Sequence, residues 1–164
     1  MVEANLIKIG MADLNVATSG GLLRTTGLGS CVGLTLHDAE IRVAGMAHIM
    51  LPSSDIAREG TLNIAKYADT AVPELLARLL KLGADRRRLV AKLAGGAQMF
   101  AFAGASDSMR IGPRNVESVK HALSLLSIPV VAEDTGGNYG RTIELDSISG
   151  ILNIRSVQFG IKEI

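Results

Sequence analysis

The stretch VGLTLHDAEIRVAGMAHIM, residues 32–50, contains two apolar runs on either side of a short polar one. Each run is rich in Val, Leu, Ile, Ala and Met and has the length of a buried strand. The polar residues around Asp38 to Glu40 predict a turn between the runs. We therefore expect an antiparallel hairpin of two strands, Val32–His37 and Ile41–Met50.

Short runs of the same kind occur on both sides of this hairpin and are separated by glycine-rich turns. Before the hairpin, strands are predicted around Leu6–Met11 and Leu22–Thr26. After it, a strand is predicted at about Leu89–Ala94. Four more strands are predicted from Ile128 onward, in the runs IPVVAED, RTIELD, GILNIRSV and FGIKEI.

Two segments change to a helical period. The first, Ala71–Leu82, is predicted to be a helix with Thr70 as its N-cap and Pro73 in its first turn. The second is predicted to start at Pro113. Their apolar faces are Val72, Leu75, Leu76, Leu79 and Leu80 in the first helix, and Val116, Val119, Leu123 and Leu126 in the second. Strands at both ends and only two long helices indicate an α+β fold in one domain, residues 1–164.

Composition and charge exclude several classes of function. The chain has 17 Lys and Arg against 16 Asp and Glu, so it lacks the field that attracts nucleic acid. Without a long apolar stretch or a signal peptide, it is expected in the cytoplasm with no membrane insertion. The basic run Arg86–Arg88 predicts a solvated helix end or, as the alternative, a docking patch for an acidic partner.

The chain contains one cysteine, Cys31, in the glycine-rich stretch TTGLGSCVG, residues 25–33. A single cysteine excludes an intrachain disulfide and a multi-cysteine zinc site, so no metal is expected. Glycines before a strand let the backbone turn sharply and let a ligand approach. We therefore treat Cys31 as a candidate nucleophile, with the backbone N–H groups of Ser30 and Cys31 as a candidate oxyanion hole.

A nucleophilic thiol needs a base, and three histidines are available. His37 ends the cysteine's own strand and is expected to point into a turn, whereas His121 is expected to be solvated on the second helix. His48 lies in the apolar run MAHIML. A hairpin centred on residue 39 predicts residue 47 opposite residue 31, which brings His48 close to Cys31.

Other interpretations of these residues stay open at this level. Lone cysteines are often buried as small hydrophobic residues, and histidines in apolar strands are often core residues, so a non-catalytic domain is one alternative. The glycines around Gly27 resemble the start of a dinucleotide fingerprint, and Gly29 to Gly33 has the spacing of a nucleophile elbow. Both of those signatures require a helix next, where a strand is predicted here.

Six stretches resemble the CheD family of chemoreceptor glutamine deamidases. They occur in order along nearly the whole chain: LGSCVG (28–33), AGMAHIMLP (44–52), KYADTAV (66–72), AKLAGGAQMF (91–100), IGPRNV (111–116) and AEDTGGN (132–138). The resemblance implies a fold similar to the catalytic domain of cytotoxic necrotizing factors, with packed β-sheets and outer helices. It also implies the deamidation of receptor glutamines in bacterial or archaeal chemotaxis.

The resemblance assigns roles to individual residues. Cys31 is implied as the nucleophile and His48 as its base. A threonine six positions before the cysteine is implied as the third member, which places it at Thr25, with Thr26 as a neighbour that sequence does not exclude. No cofactor is implied. The implied partners are the cytoplasmic helices of chemoreceptors as substrate and the phosphatase CheC, so a CheC-binding regulatory module is the alternative function.

Overall fold

Two five-stranded sheets, two α-helices and two short 3-10 helices, Ser54–Ile56 and Ile64–Lys66, make up the regular structure in a computed structural model that describes residues 5–57, 60, 62–99 and 110–164. The helices are α1 (Ala68–Lys81) and α2 (Ile111–Leu125). The strands are β1 (Leu6–Ile9), β2 (Leu14–Ala17), β3 (Leu22–Leu28), β4 (Val32–Asp38), β5 (Val43–Ile49), β6 (Val90–Gly95), β7 (Val130–Thr135), β8 (Arg141–Asp146), β9 (Leu152–Ser156) and β10 (Gly160–Glu163). This confirms the predicted α+β class.

The sheets and helices form three layers. One sheet, which we call the outer sheet, has the strand order β1-β3-β8-β9-β10, and the other, the central sheet, has the order β2-β5-β4-β6-β7. Both sheets are mixed, because β1 pairs with β3 and β6 pairs with β7 in parallel. Helices α1 and α2 pack on one face of the central sheet, and the outer sheet packs on its other face.

Strands β4 and β5 lie in the middle of this arrangement and are buried on both faces. Because side chains alternate along a strand, Val32, Leu34 and Leu36 join the core beneath the helices. On β5, Ala44 and Met46 join the core between the two sheets, together with Cys31. A strand covered on both sides is mainly apolar, which explains why this hairpin was the clearest signal in the sequence.

The predicted register of the β4–β5 hairpin is wrong by three residues. Residue 47 pairs with Leu34 and not with residue 31, and His48 lies opposite Gly33. The turn occupies residues 39–42 instead of 38–40, because Arg42 adopts a left-handed conformation with φ of 56°. Ile41, assigned to the return strand by its hydrophobicity, is exposed in that turn.

Several element boundaries also differ from the predictions. Helix α1 starts at Ala68, so Thr70 is not its N-cap, and the Thr70 hydroxyl donates to the Ile64 carbonyl at 2.6 Å. Pro73 is consequently the sixth helical residue and lies beyond the first turn, where its ring is exposed. Pro113 is the third residue of α2 and therefore remains in the first turn. Strand β2 was not predicted, since its four residues give too short a pattern.

The arginines in the basic run after α1 differ in exposure and in the ion pairs that they form. Arg87 is exposed, as predicted, but Arg88 pairs with Asp38 at 3.0 Å, and the Asp38 side chain has no exposed surface. Burial raises the pKa of Asp38, but hydrogen bonds from Arg88 and from the backbone N–H groups of Asp85 and Glu40 outweigh it. The pKa of this carboxyl therefore lies below its usual range.

We expect Asp38→Asn to lower the free energy of unfolding by about 2 kcal/mol at pH 7, because it weakens charged hydrogen bonds of a buried group. The folded-state pKa of Asp38 lies below that of the unfolded chain. Its stabilisation is therefore complete above about pH 4 and is lost as the pH falls through the folded-state pKa. Urea unfolding of both proteins from pH 7 to pH 2 measures this.

The control is Glu40→Gln, because Glu40 approaches the same Arg88 at 3.3 Å but its side chain is 70% exposed. We expect a change below about 0.5 kcal/mol for that variant. Equal effects of the two substitutions at pH 7 would contradict the importance of the buried carboxylate.

Candidate active site

Cys31 lies at the start of the central strand of the central sheet, directly before β4. It is 7% exposed and belongs to the core between the two sheets, among residues such as Leu28, Met46 and Ile143. It is a free thiol. The predicted loop-to-strand position is therefore observed, and the side chain points from that junction towards the outer sheet.

Hydrogen bonds hold the backbone on both sides of Cys31. The Cys31 carbonyl accepts from the N–H of Gly96 at 2.8 Å, and the Gly29 carbonyl accepts from the N–H of Ala97 at 2.9 Å. Gly95 and Gly96 both have positive φ, and a Cβ on Gly95 would collide with the Cys31 carbonyl. Only glycine permits this close approach, so the Gly95-Gly96 pair is a structural turn that fixes the cysteine loop.

His48 is fully buried on β5 and faces the same inter-sheet space as Cys31. It lies directly opposite Gly33, and Cys31 precedes Gly33 by two residues on the same face of the sheet. Cys31 and His48 are thus diagonal neighbours, the second-nearest relation that an antiparallel pair provides. The structure brings the two residues to one place, although by a different register from the one predicted.

A hydrogen bond from Thr25 crosses the gap between the sheets. Thr25 is buried on β3 of the outer sheet, and its Oγ1 lies 2.7 Å from His48 Nδ1. The same hydroxyl donates to the carbonyl of Ile9 at 2.8 Å. Thr26 is exposed on the opposite face of β3, where a bulge begins. Thr25 and not Thr26 therefore contacts the histidine.

These two bonds determine where the protons are. A hydroxyl has one hydrogen, and Thr25 uses it for the Ile9 carbonyl. It must therefore accept from His48, so Nδ1 carries the proton of the neutral imidazole and Nε2 has the free lone pair. Within the described ranges, Nε2 is buried and makes no hydrogen bond. The histidine is thus held by one nitrogen and has its basic nitrogen available.

Burial shifts the pKa values of both Cys31 and His48 towards the uncharged forms. It raises the pKa of the Cys31 thiol, and the residue's own backbone N–H only partly opposes this. It lowers the pKa of His48. At neutral pH the resting site therefore contains a thiol and a neutral imidazole, not a thiolate–imidazolium pair. A neutral imidazole with a free lone pair has the protonation state that a general base requires.

The backbone N–H groups of Ser30 and Cys31 were the predicted oxyanion donors. Neither donates to another residue in the part of the chain that the structure describes. The Cys31 N–H lowers the pKa of the residue's own thiol, against the larger effect of burial. Both N–H groups therefore remain available next to the candidate nucleophile.

The other two histidines lie elsewhere. His121 is exposed on α2, as predicted. His37 points into a turn, as expected, but this is the turn that follows β8 and not the turn after its own strand: the residue is buried, and its Nε2 donates to the Ser147 carbonyl at 2.9 Å. It is buried because it shares the inter-sheet face of β4 with Gly33, and that face is covered to the end of the strand.

Asn115 of α2 is a site residue that the sequence interpretation did not identify. It is fully buried, and its side-chain amide donates to the carbonyls of Ser30 and Met50, each at 2.9 Å. A signal was present, since Asn115 precedes Val119 by four residues and so shares the apolar face of the helix. A polar residue on that face needs a buried partner.

The alternative signatures do not fit this geometry. Strand β4, not a helix, follows the cysteine loop, so neither a dinucleotide fingerprint nor a nucleophile elbow is formed. Among residues 5–57, 60, 62–99 and 110–164, no three His, Cys, Asp or Glu residues come together as metal ligands. In the same ranges, no helix has the length and apolar character needed to cross a bilayer.

Fold and site together define a class of protein: two packed mixed sheets that enclose a cysteine beside a histidine anchored by a threonine. Comparison with known proteins makes the assignment specific. A family model described as CheD chemotactic sensory transduction matches residues 50–156. This range begins after Cys31 and His48, but relatives align over nearly the whole chain.

Three curated relatives illustrate the similarity. Chemoreceptor glutamine deamidase CheD of Halalkalibacterium halodurans is 57% identical over 160 residues, covering 98% of this chain and 99% of the relative. The protein of that name from Bacillus subtilis is 51% identical over 162 residues, covering 99% and 98%. A probable chemoreceptor glutamine deamidase CheD from Geobacillus kaustophilus is 54% identical over 165 residues, covering both chains completely. The chain belongs to the CheD family.

We expect alkylation of Cys31 by iodoacetamide to be slow at pH 7 and to rise only above about 8.5, because burial raises the pKa of the thiol. The single cysteine gives one product, so mass spectrometry yields the rate at each pH. In urea the same thiol should titrate near about 8.5. A rate that levels off below pH 7 in the folded protein would contradict the neutral thiol–imidazole pair.

Proposed function

We propose that this chain is a protein-glutamine deamidase that converts glutamines in the cytoplasmic helices of chemoreceptors to glutamate, with Cys31 as the nucleophile. One observation carries the proposal: Thr25 holds His48 through Nδ1 and leaves Nε2 unpartnered on the face that Cys31 shares. The names of the relatives supply the substrate class. The proposed place of action is the cytoplasm.

The first half of the reaction forms a thioester. His48 Nε2 takes the proton of Cys31 as Sγ attacks the carbonyl carbon of the glutamine amide. The carbonyl oxygen becomes an oxyanion, which the N–H groups of Ser30 and Cys31 stabilise. The intermediate collapses, the C–N bond breaks, and the imidazolium returns its proton to the departing nitrogen. Ammonia leaves, and the acyl group remains on Sγ.

The second half regenerates the thiol. A water molecule gives a proton to His48 Nε2 as its oxygen attacks the thioester carbon. The second tetrahedral intermediate expels Sγ, which recovers the proton from the imidazolium. The balance is amide plus water to carboxylic acid plus ammonia, without oxidation or reduction, so the proposal includes no cofactor. A glutamyl methyl ester would undergo the same attack, with methanol as leaving group.

Thr25 contributes by orienting His48 and not by contacting the substrate. Its hydroxyl is committed to the Ile9 carbonyl and therefore only accepts from Nδ1. This keeps the lone pair on Nε2 before the reaction and stabilises the imidazolium during it, the role that a third group has in other triads. The neutral resting pair means that charge develops only when substrate is present.

The direct test is mass spectrometry of a receptor cytoplasmic domain incubated with the protein. Conversion of an amide to an acid adds about one dalton at each modified glutamine, and we expect this gain to disappear in Cys31→Ala. Cys31→Ala is also expected to remain folded, because it removes only the sulfur of one small buried side chain. A gain of mass in the receptor incubated with Cys31→Ala would contradict the proposal. So would the absence of any gain with the native protein for every receptor tested.

Adjacent threonines offer a matched pair for the role of Thr25. We expect Thr25→Val to reduce kcat by about 10- to 100-fold, since it removes the acceptor that fixes the imidazole, with little effect on KM. Thr26→Val makes the same chemical change on the exposed face and should leave kcat within about twofold. Initial rates of ammonia release measure both. Similar losses in the two variants would exclude the orienting role.

The second partner implied by family resemblance, the phosphatase CheC, belongs to a different function and stays a prediction. Calorimetry that compares the affinity of the native protein and of Cys31→Ala for CheC separates the two functions. Unchanged affinity with lost deamidation would mean that a regulatory contact does not depend on the thiol.

A further inference from the structure

Asn115 connects the two strands that carry the candidate catalytic residues. Its Nδ2 donates one hydrogen to the carbonyl of Ser30, directly before the cysteine, and the other to the carbonyl of Met50. Met50 follows β5 and lies two residues after His48. A single side chain from α2 therefore ties the loop of the nucleophile to the end of the strand of the base.

The orientation of this amide is fixed by its partners. Rotating it by 180° would place its own oxygen against two carbonyl oxygens, which cannot donate. In the orientation observed, both N–H groups are used, and Oδ1 is buried without a hydrogen-bond partner among the described residues. An unsatisfied buried acceptor destabilises the folded state. A side chain needed only for packing would avoid that penalty, so the two donated bonds are the feature that requires explanation.

The bond to Ser30 determines the direction of the next N–H group. The peptide bond is planar and trans, so the carbonyl of residue 30 and the N–H of residue 31 point in opposite directions. Asn115 holds that carbonyl towards the helix layer. The Cys31 N–H therefore points away from α2, to the side on which the thiol packs between the sheets.

We propose that Asn115 is a positioning residue for the deamidation reaction: it holds the Ser30–Cys31 peptide so that the Cys31 N–H faces the developing oxyanion. The inference rests on the proposed function of Cys31. Asn115 holds the oxyanion donor from α2, whereas the Thr25–His48 bond orients only the base. The bond to Met50 serves the same end, because it prevents the β5 terminus and the cysteine loop from separating.

The test compares a reaction that needs the oxyanion donor with one that does not. Deamidation passes through an oxyanion, whereas iodoacetamide reacts with the thiol by displacing iodide and forms none. We expect Asn115→Asp, which replaces both donors with acceptors, to lower kcat for the receptor by about 10- to 100-fold. KM and the alkylation rate of Cys31 at pH 9 should stay within about threefold.

Two further variants separate positioning from stability. Asn115→Ser is smaller and can retain one donated bond, so an intermediate loss of kcat is expected. Thr35→Val removes another buried hydrogen bond, from Thr35 Oγ1 to the Lys92 carbonyl at 3.1 Å. Thr35 is on β4, the strand that follows Cys31, but four residues beyond the cysteine. This variant should lower the Tm as the Asn115 variants do and leave kcat unchanged. Circular dichroism establishes a temperature at which every variant is folded.

The outcomes distinguish this inference from the function on which it rests. Wild-type kcat in both Asn115 variants, with Cys31→Ala inactive, would overturn the role of Asn115 alone. Equal losses of deamidation and alkylation would also overturn it, because they would indicate general disruption of the thiol. Activity in Cys31→Ala would remove the proposed function, and the inference on Asn115 with it. Selective loss of kcat supports the inference.

Discussion

The hydrogen bond between Thr25 and His48 is the contact on which the arrangement of the site depends. It joins β3 of the outer sheet to β5 of the central sheet through a mainly apolar core. Apolar contacts have no preferred direction, but two buried polar atoms must come within hydrogen-bond distance, here 2.7 Å, or remain unsatisfied. The Thr25 hydroxyl also donates to the carbonyl of Ile9, which adds β1 to the same chain of hydrogen bonds. The contact therefore specifies how one sheet lies on the other, and it selects the tautomer of the histidine at the same time.

The sequence was informative wherever a pattern was local and strong. Two fully buried strands, two amphipathic helices and the strand-rich termini followed from hydrophobic period alone, and the α+β class followed from them. The hairpin register did not, because a left-handed Arg42 lengthens the turn and nothing in the residue type announces that conformation. Thr25 and Thr26 were not separated, although the alternation of Leu23, Arg24 and Thr25 places Thr25 inside with Leu23. Asn115 was missed because its partners are backbone carbonyls distant in sequence, and carbonyls have no sequence signature.

The backbone around Cys31 is unusually well determined for a loop. Three successive carbonyls, those of Gly29, Ser30 and Cys31, accept hydrogen bonds from Ala97, Asn115 and Gly96. Two of the donors come from the turn after β6, beside the cysteine loop, and the third comes from α2, while the thiol faces the space between the sheets. Groups that are already oriented need no reorganisation when charge develops, which is the main source of electrostatic stabilisation in enzymes. The glycines at 95 and 96 contribute by allowing that approach and not by flexibility.

The depth of the site has a consequence for the geometry of what can enter it. Cys31 is 7% exposed and the His48 ring is fully buried. An amide within a main chain carries a residue on either side, so it needs room for three residues beside a cysteine that is almost fully buried. An amide at the tip of a long, unbranched side chain enters alone while its own backbone stays outside. A deep site therefore selects its substrate by side-chain length. Glutamine has two methylene groups, so its carboxamide reaches one carbon further from the backbone than that of asparagine, whatever residues flank it in the substrate.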